Sequence, residues 1–574
     1  MSRFFLHISS VADELNHRTE AMDAVRKLFI ELDAPVWYDF ADGSSSLLIG
    51  GHDKAIYTEG CSFCTGVVFN PNDPNSFSDL ASSGFTTLTV FCNAQQLSVV
   101  SNLVAGRTAW YYFDESCFIL SSSQRAIVRF LGSFQFNEDA MAWMLATGNL
   151  GPGNSWDVRI RHVRSNTRLV LSRQSWQLSE GDEVRLDSKE SVASFEDRLA
   201  ELDQVVDNVF KDIKYNASYD VLSLSGGYDS RLVLNKMKAH FNGLDSITWG
   251  LSSARDEKNT DAYIARNLAE AYGVRNIFFE TDFHPRDFST LIDNYLRSGE
   301  GRIDHINFFM GGLGMWQKLT LNGYRFLYRA DEVFGWLPCA TDKDVRISLD
   351  YHFMHDNSNM LPFRSFNLPE QNFPERFNRL SGESLAEWRD RLYRNFRLPY
   401  VLTGLHDVGS SYVEVFNPLL HDSIVRFCIS LPDIYRTHKK LYVEYVGRLR
   451  SNVPVAMKPS IPEPGAILRS SRFISHILDE FHQQKTRSLF GSDFLGWIEK
   501  HLDVDDGLMS RTNDSLWVWL QANVPWQLKK MLRRDIFQYR SDFNQLAFRV
   551  LIVSRMMSLF ESDSVSYKTD LKRS

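Results

Sequence analysis

The sequence predicts an α/β protein of two domains, and two patterns lead to this fold class. Residues 1–190 are β-rich, because short apolar runs such as SLLIGG, TGVVF and TLTVF alternate with turns of Gly, Asn, Asp and Ser. In residues 200–574, the runs VLSLS, SITWG, RNIFF and YRFLY alternate with helical stretches. This alternation is typical of a doubly wound parallel sheet with helices on both faces. The C-terminal part of this second domain is mainly helical.

The composition excludes several classes of function. The chain has 574 residues and a formal net charge of −8, so it offers no basic surface for a nucleic acid. No stretch approaches the ~20 apolar residues of a membrane span, and the N-terminus lacks the apolar core of a secretory signal. We therefore expect a cytoplasmic protein with no membrane partner. Cys61 and Cys64 form one CxxC without a second pair, which argues against structural zinc.

The stretch SGGYDS follows the apolar run of residues 221–224 and precedes a helical stretch. A strand, a glycine turn and a helix N-terminus together form an anion site, because backbone N–H groups and the helix dipole favour negative charge. A carboxylate inside such a site makes sense if it holds a Mg²⁺ that bridges to a phosphate. The alternative is an ordinary strand-to-helix turn. The predicted nucleotide-binding residues of this loop are Ser225, Gly226, Gly227, Asp229 and Ser230.

SGGYDS resembles the SGGxDS loop of the N-type ATP pyrophosphatases, which split ATP between the α and β phosphates and leave AMP on a substrate carboxylate. Three further segments, in the same order, are similar to those of the asparagine synthetase family: YRADEVFGW, VEVFNPLLHDSIVRFCISLP and RTHKKLYVEYVGRLRSNVPVAMKP. The resemblance implies an ATP-pyrophosphatase domain of the adenine nucleotide α-hydrolase-like fold in residues 200–574. Residues 337–410 form a longer insertion than is usual, and the sequence does not indicate its role.

The segment GRTAWYYFDESCFILSSSQRAIVRFLG is similar to a hairpin of the glutamine amidotransferase domain that precedes asparagine synthetases. This resemblance implies an Ntn-hydrolase-like αββα fold for residues 1–190. In that family, the glutaminase uses a cysteine directly after the initiator Met, whose thiol is the nucleophile. Here position 2 is Ser2, so we expect a degenerate domain without glutaminase activity.

The resemblance also implies ATP and Mg²⁺ as cofactors. Asp229 and Asp331 are at the motif positions that serve metal binding in the family, although helix capping could also explain Asp331. Leu224, Trp249 and Leu327 are at the positions where the family encloses adenine and ribose, although these residues could equally be ordinary core.

A tyrosine replaces the family's usual glutamate three residues before the metal-binding aspartate. The β-lactam and carbapenam synthetases also have tyrosine there, and it pairs with a glutamate to deprotonate an amine. By this resemblance we expect Tyr328 and Glu414 to lie within hydrogen-bond reach and to form the base. We expect Lys458 to stabilise the transition state, with Lys439 or Lys440 as alternatives, while a solvated surface role for Lys458 is equally open.

The predicted function is an ATP-dependent ligase that adenylates a small-molecule or peptide carboxylate and transfers it to ammonia or an amine. One alternative is an intramolecular amide-forming cyclase, similar to β-lactam synthetases and lasso-peptide cyclases. A third interpretation, of another class, is a non-catalytic nucleotide-binding scaffold. The sequence does not identify the substrates, and a homo-oligomer stays open.

Overall fold

The structure of the protein is a computed structural model, which describes most of the chain. It confirms the predicted fold class, since antiparallel sheets are followed by one parallel sheet. Ser2, where the family has its cysteine, lies outside the described residues. These are residues 3–10, 15–51, 56–66, 84–182, 193–282, 288–306, 313–409, 411–449, 452–461, 464–506 and 539–570.

Two six-stranded antiparallel sheets form the first part of the chain. Their strand orders are β10-β8-β9-β1-β3-β2 and β12-β11-β7-β6-β5-β4. The strands are β1 (Arg3–Ser9), β2 (Val36–Ala41), β3 (Ser45–Gly50), β4 (Ile56–Glu59), β5 (Ser62–Thr65), β6 (Leu88–Cys92), β7 (Gln96–Ser101), β8 (Trp110–Phe113), β9 (Cys117–Ser121), β10 (Arg161–His162), β11 (Thr167–Ser172) and β12 (Gln177–Asp182).

The two sheets pack face to face, and the alternation of side chains along β1 shows how. Phe4, Leu6 and Ile8 enter the apolar core between the sheets, whereas Phe5 points to the opposite side. On that side, helices pack against the first sheet. They are α1 (Leu15–Glu31), α2 (Gln124–Leu131) and α3 (Glu138–Thr147).

A five-stranded parallel sheet forms the second part, in the order β15-β14-β13-β16-β17. Its strands are β13 (Asp220–Ser223), β14 (Asp245–Gly250), β15 (Arg275–Glu280), β16 (Phe326–Tyr328) and β17 (Glu414–Phe416). The chain adds β14 and β15 on one side of β13 and then returns to place β16 on the other side. Ligands of open parallel sheets bind at such a reversal, outside the carboxyl ends of the strands.

Helices cover both faces of this sheet and make up most of the described chain after it. None of the helices in the described part of the chain is both long and apolar enough to cross a membrane. The helices are α4 (Phe195–Asp212), α5 (Tyr228–His240), α6 (Asp261–Tyr272), α7 (Phe288–Gly299), α8 (Leu313–Leu321), α9 (Asp342–Ser348), α10 (Leu385–Leu392), α11 (Thr403–Val408), α12 (Asp422–Ile429), α13 (Asp433–Arg436), α14 (Lys440–Arg448), α15 (Pro464–Leu468), α16 (Ser471–Phe481), α17 (Gln484–Phe490), α18 (Ser492–Glu499) and α19 (Phe543–Asp570).

The C-terminal helix α19 packs against α2 and α3 of the first part. The buried carboxylate of Asp563 accepts hydrogen bonds from Arg125 and Arg129, at 2.6 and 2.8 Å. One apolar cluster includes Phe5 of the first sheet and Phe548 of α19. The two predicted domains therefore share a core, and the boundary between residues 190 and 200 stays a prediction.

Candidate functional site

The loop Ser225–Ser230 lies at the carboxyl end of the central strand β13. Its two serines hold it closed, because their hydroxyl oxygens are 3.0 Å apart and the Ser225 N–H donates to the Ser230 hydroxyl at 3.1 Å. The Gly227 N–H donates to the Ser225 hydroxyl at 3.3 Å, and the Gly226 N–H donates to Asp261 at 3.2 Å. The amides of both glycines therefore already have partners, one within the loop and one at the start of α6.

The N-terminus of helix α5 supplies the donors that remain. Gly227 is the N-cap residue and provides no side-chain cap. The N–H groups of the first helical turn have no partner within a helix, and the helix dipole adds positive potential there. A helix of 13 residues thus presents its uncapped end at the edge where the sheet topology predicts a ligand.

Residues 452–461 cross this edge and close one side of the loop. The Ala456 N–H donates to the Gly226 carbonyl at 3.0 Å, and the Lys458 N–H donates to the Asn259 carbonyl at 3.0 Å. A Cβ added at Gly226 would lie 2.4 Å from the Cβ of Ala456 and 2.9 Å from that of Ile264. Gly226 is therefore needed for the close approach of this segment.

A lysine ammonium group joins two carboxylates beside the loop. Lys439 Nζ lies 2.6 Å from Glu332 Oε1 and 3.7 Å from Asp229 Oδ2. The Phe334 N–H donates to the other oxygen of Glu332. Both His438 and Lys439 have positive φ, 60° and 53°, which is strained for residues with a Cβ. The chain thus adopts an unfavourable turn that places the ammonium between the carboxylates.

Burial and mutual repulsion control the ionisation of this cluster. Burial raises the pKa of Glu332 to about 7, an effect that Lys439 opposes and Asp229 reinforces. Burial also raises the pKa of Asp229. Burial alone would lower the pKa of Lys439, but the two carboxylates outweigh it and raise that pKa. A carboxyl group with a pKa near neutrality suits proton transfer.

Asp331, the other predicted metal ligand, is already paired. Its carboxylate lies 2.9 Å from His406 Nε2 and 3.4 Å from Arg329. Burial would raise the pKa of Asp331, but Arg329 and His406 outweigh it and hold that pKa well below its usual range. Arg329 is one of the residues at which this chain departs from the family motif.

Mg²⁺ takes oxygen ligands, commonly one or two carboxylates with substrate phosphates and water. Asp229 fits this role, because its Oδ1 atom is buried and accepts no hydrogen bond within the described part of the chain. Asp331 fits less well, since Arg329 and His406 already lie beside its carboxylate. The described residues contain no group of three or more His, Cys, Asp or Glu that could hold a metal ion. The predicted metal pair therefore stays a prediction, with Asp229 as its better-placed member.

The expected hydrogen bond between Tyr328 and Glu414 is wrong. The Tyr328 hydroxyl donates to Asp220 at 3.2 Å, and Asp220 begins β13. The hydroxyl thus lies at the amino end of β13, whereas Ser225 lies at the carboxyl end of that strand. The side chain is fully buried, and burial together with Asp220 raises its pKa well above the usual range. The Tyr328 side chain therefore belongs to the apolar core between the sheet and its helices.

Glu414 is fully buried, and it is bound to an arginine of the first part of the chain. Arg107 Nη1 lies 2.5 Å from Glu414 Oε1, and its Nη2 donates to the Val415 carbonyl at 2.7 Å. Arg107 also donates to the Thr86 carbonyl at 3.1 Å. Glu414 thus connects the edge strand β17 to the antiparallel part of the fold, which is a structural contact.

Lys458 lies close to the loop through its backbone but not through its ammonium group. Its carbonyl accepts from the Asp261 N–H at 2.9 Å, while Nζ lies 2.8 Å from Glu257. Of the three lysines that the sequence brings into question, Lys439 is therefore the one placed against Asp229. Lys440, directly after it, is exposed and lies over the ring of Phe195.

The three apolar residues predicted to enclose the nucleoside do not form one wall. Leu224 belongs to the apolar cluster that contains helices α5 and α6, whereas Leu327 and Trp249 belong to the cluster with α8 on the opposite face of the sheet. Leu224 and Leu327 are fully or almost fully buried. Core packing accounts for both leucines.

Sequence reasoning missed Glu332, His406 and Arg329 as neighbours of the site. Glu332 directly follows Asp331 in ADEVFGW, and this position was the sequence signal for it. In the structure its side chain is almost completely buried. A buried acidic residue requires a cation, and the two lysines at 439 and 440 were the available signal. His406 gave no local signal, since it belongs to the insertion.

No protein-family model and no curated protein matches this chain. Among solved structures, an NH3-dependent NAD synthetase from Campylobacter jejuni, in complex with nitrate, has 13% sequence identity and a TM-score of 0.17. That similarity covers 25% of this chain and 59% of the synthetase chain.

Two further structures are similar at the same weak level. The allosteric regulatory enzyme of purine biosynthesis has 7% identity and a TM-score of 0.20, over 50% of this chain and 82% of its own. The glutamine phosphoribosylpyrophosphate amidotransferase from B. subtilis, with ADP and GMP, has 6% identity and a TM-score of 0.19, over 50% and 67%. Scores this low establish neither a shared fold nor a function.

The contact between Gly226 and Ala456 gives a first prediction. Gly226→Ala should displace residues 452–461 and increase hydrogen exchange at the Ala456 and Lys458 amides, at a stability cost of about 1–3 kcal/mol. Gly227→Ala is the matched control, because a Cβ there meets nothing closer than the Ser225 hydroxyl at 3.5 Å. Equal exchange in the two variants would contradict the close approach.

Asp220 gives a second prediction, because burial raises its pKa to about 7. Between pH 4 and 7 the folded protein keeps a proton that the unfolded chain releases, so this group's stabilisation is lost as the pH rises through 7. The free energy of unfolding of Asp220→Asn, measured relative to that of the natural protein, should therefore increase by about 2–4 kcal/mol from pH 5 to pH 8. Urea unfolding at both pH values measures it.

The control for this experiment is Asp245, at the start of the neighbouring strand. Burial would raise the pKa of Asp245, but hydrogen bonds from Arg275 and Tyr324 outweigh it and lower that pKa. Asp245 is thus ionised in both states from pH 5 to 8, and Asp245→Asn should show a constant difference. A constant difference for Asp220→Asn as well would refute the raised pKa.

Proposed function

We propose that this protein is an ATP-dependent ligase that forms an amide bond, activating a substrate carboxylate with release of pyrophosphate. The observation that carries the proposal is the N-terminus of α5, which begins within SGGYDS and has no side-chain cap. Asp229 lies in its first turn, and the Lys439 ammonium lies beside Asp229. The N–H groups of α5 and the Lys439 ammonium would contact the phosphate oxygens of a bound polyphosphate. The Asp229 carboxylate would bind the metal ion that accompanies it. The motif's resemblance to ATP pyrophosphatases adds support.

In this proposal, the first-turn amides of α5 and the two serine hydroxyls bind phosphate oxygens. Bound Mg²⁺ would neutralise phosphate charge, and Asp229 would hold it. Lys439 would move from Glu332 to the departing pyrophosphate. Lys439 holds down the pKa of Glu332, so its departure would make this carboxylate a stronger base, which would accept the proton of the incoming amine.

The intramolecular cyclase receives less support than the sequence alone suggested, because Tyr328 was the residue that favoured it. The acceptor in our proposal is therefore ammonia or an external amine, and the donor a small-molecule or peptide carboxylate. Residues 1–190 would serve as a scaffold without glutaminase activity, a proposal that rests on Ser2. The non-catalytic scaffold interpretation becomes an outcome of the test below.

Three lysine substitutions test this assignment. In the presence of a carboxylate substrate and hydroxylamine as the amine, the natural protein should convert ATP to AMP and pyrophosphate. Lys439→Met should lower this rate by at least 100-fold, since it removes a charge that stabilises the leaving pyrophosphate. Lys440→Met should leave the rate within about twofold, because a surface charge contributes little.

Lys458→Met tests the alternative that Lys458, and not Lys439, stabilises the transition state. If Lys458 reaches the reacting groups only after ligands bind, its loss should be as severe as that of Lys439. If its contact with Glu257 persists, the loss should be mild. Release of ADP instead of AMP would overturn the pyrophosphatase chemistry. A protein that binds ATP without any turnover would support the scaffold interpretation.

A further inference from the structure

A cavity of about 650 Å³ is lined by residues other than those of the loop Ser225–Ser230. The turn between β10 and β11 forms one wall, and the stretch of residues 376–400 within the insertion forms another. Apolar side chains on its surface include Phe377, Leu380 and Leu431. Five arginines line it, against three carboxylates. The arginines are Arg164, Arg376, Arg391, Arg394 and Arg436, and the acidic residues are Asp182, Glu383 and Glu387.

Most of these charges are already neutralised. Arg391 lies 2.7 Å from Glu383, and Arg436 lies 2.9 Å from Asp390. Arg164 pairs with Glu180 outside the cavity. Two guanidinium groups, those of Arg376 and Arg394, are left without a carboxylate partner in the described part of the chain.

Arg394 is the informative one of the two. It is half-buried, and it makes no hydrogen bond or ion pair within the described residues. Burial lowers the pKa of Arg394 to about 10, an effect that Asp390 opposes and that Arg436 reinforces. A partly buried guanidinium without a partner is unfavourable, because charges removed from water are normally paired. The site therefore carries an uncompensated positive charge.

The local backbone and the neighbouring side chains direct this charge at the cavity. Arg394 lies in a π-helical segment, Tyr393–Leu402, and such segments are rare and frequent at functional sites. Arg376 lies over the ring of Phe377, 4.9 Å from its centroid. Its charge also lowers the pKa of the buried Tyr400, which burial otherwise raises. Positive charge thus converges on the cavity from two segments.

We propose that this cavity binds a small organic anion whose carboxylate or phosphate group is held by Arg394 and Arg376. A planar guanidinium presents paired donors that match either oxyanion. The apolar part of the ligand would pack against Phe377 and Leu431. This site gives the insertion a role, and it does not depend on the ATP chemistry proposed above.

Binding of fluorinated probes to the full chain, followed by ¹⁹F NMR, tests the proposal. The probes are 4-fluorobenzoate, 4-fluorophenyl phosphate and the neutral 4-fluorobenzamide. At least one anionic probe should bind saturably, and the amide should bind at least tenfold more weakly. The relative affinities of benzoate and phosphate tell which oxyanion the site prefers. Failure of both anions to bind, or equal binding of the amide, would overturn the proposal.

Arg394→Gln should weaken binding of the preferred anion at least tenfold. Its thermal unfolding midpoint should be unchanged or raised, because the substitution removes a half-buried charge without a partner. A purely structural arginine would instead lower the midpoint. Arg297→Gln, at an exposed arginine of α7, is the matched control and should bind normally.

One further variant locates the bound probe. Tyr393, next to Arg394, is close enough to Glu332 and Asp331 for their charges to raise its pKa further, although burial is the main cause. The cavity and the edge of the parallel sheet are therefore neighbours. Lys439→Met should retain the probe. If Lys439→Met lost it while Arg394→Gln kept it, the anion would be bound at the sheet edge and the proposal would be wrong.

Discussion

The rest of this site depends on the ion pairs of Lys439 with Glu332 and Asp229, at the carboxyl edge of the parallel sheet. Asp229 follows β13 and Glu332 follows β16, so two neighbouring parallel strands deliver carboxylates to one place. Neighbouring carboxylates repel each other, and each would shift toward its neutral form without a cation. Lys439 supplies that cation from a turn with two positive φ angles. The strain is tolerated because the ammonium then lies between both groups.

Contacts of the loop Ser225–Ser230 close the same edge of the sheet, but they leave the N–H groups at the start of α5 available to a ligand. The loop serines and Asp261 take up the amides of the loop, and residues 452–461 press against Gly226. The N-terminus of α5 has no side-chain cap. A helix end without a cap beside a lysine and an aspartate is a suitable place for an anion with its metal. Asp331 instead pairs with His406 and Arg329 of the chain itself.

The sequence predicted what depends on local pattern. Alternating runs gave the two classes of sheet, and SGGYDS was placed correctly at the end of a strand, because a buried strand followed by glycines and a helix has few other geometries. The position of the Tyr328 hydroxyl was not predictable, since its partner Asp220 lies on another strand. The sequence pattern of a strand indicates only which face of the sheet a side chain is on. Glu414 was misread for a similar reason: its partner Arg107 lies some 300 residues earlier in the chain.

The most direct test of the account is a crystal structure with the α,β-methylene analogue of ATP and Mg²⁺. The account predicts phosphate oxygens at the first turn of α5, a metal ion on Asp229, and a Lys439 ammonium moved from Glu332 to a phosphate. A nucleotide bound elsewhere would contradict it. So would a nucleotide at this edge with the contact between Lys439 and Glu332 unchanged, because the ammonium would then serve only to hold the fold.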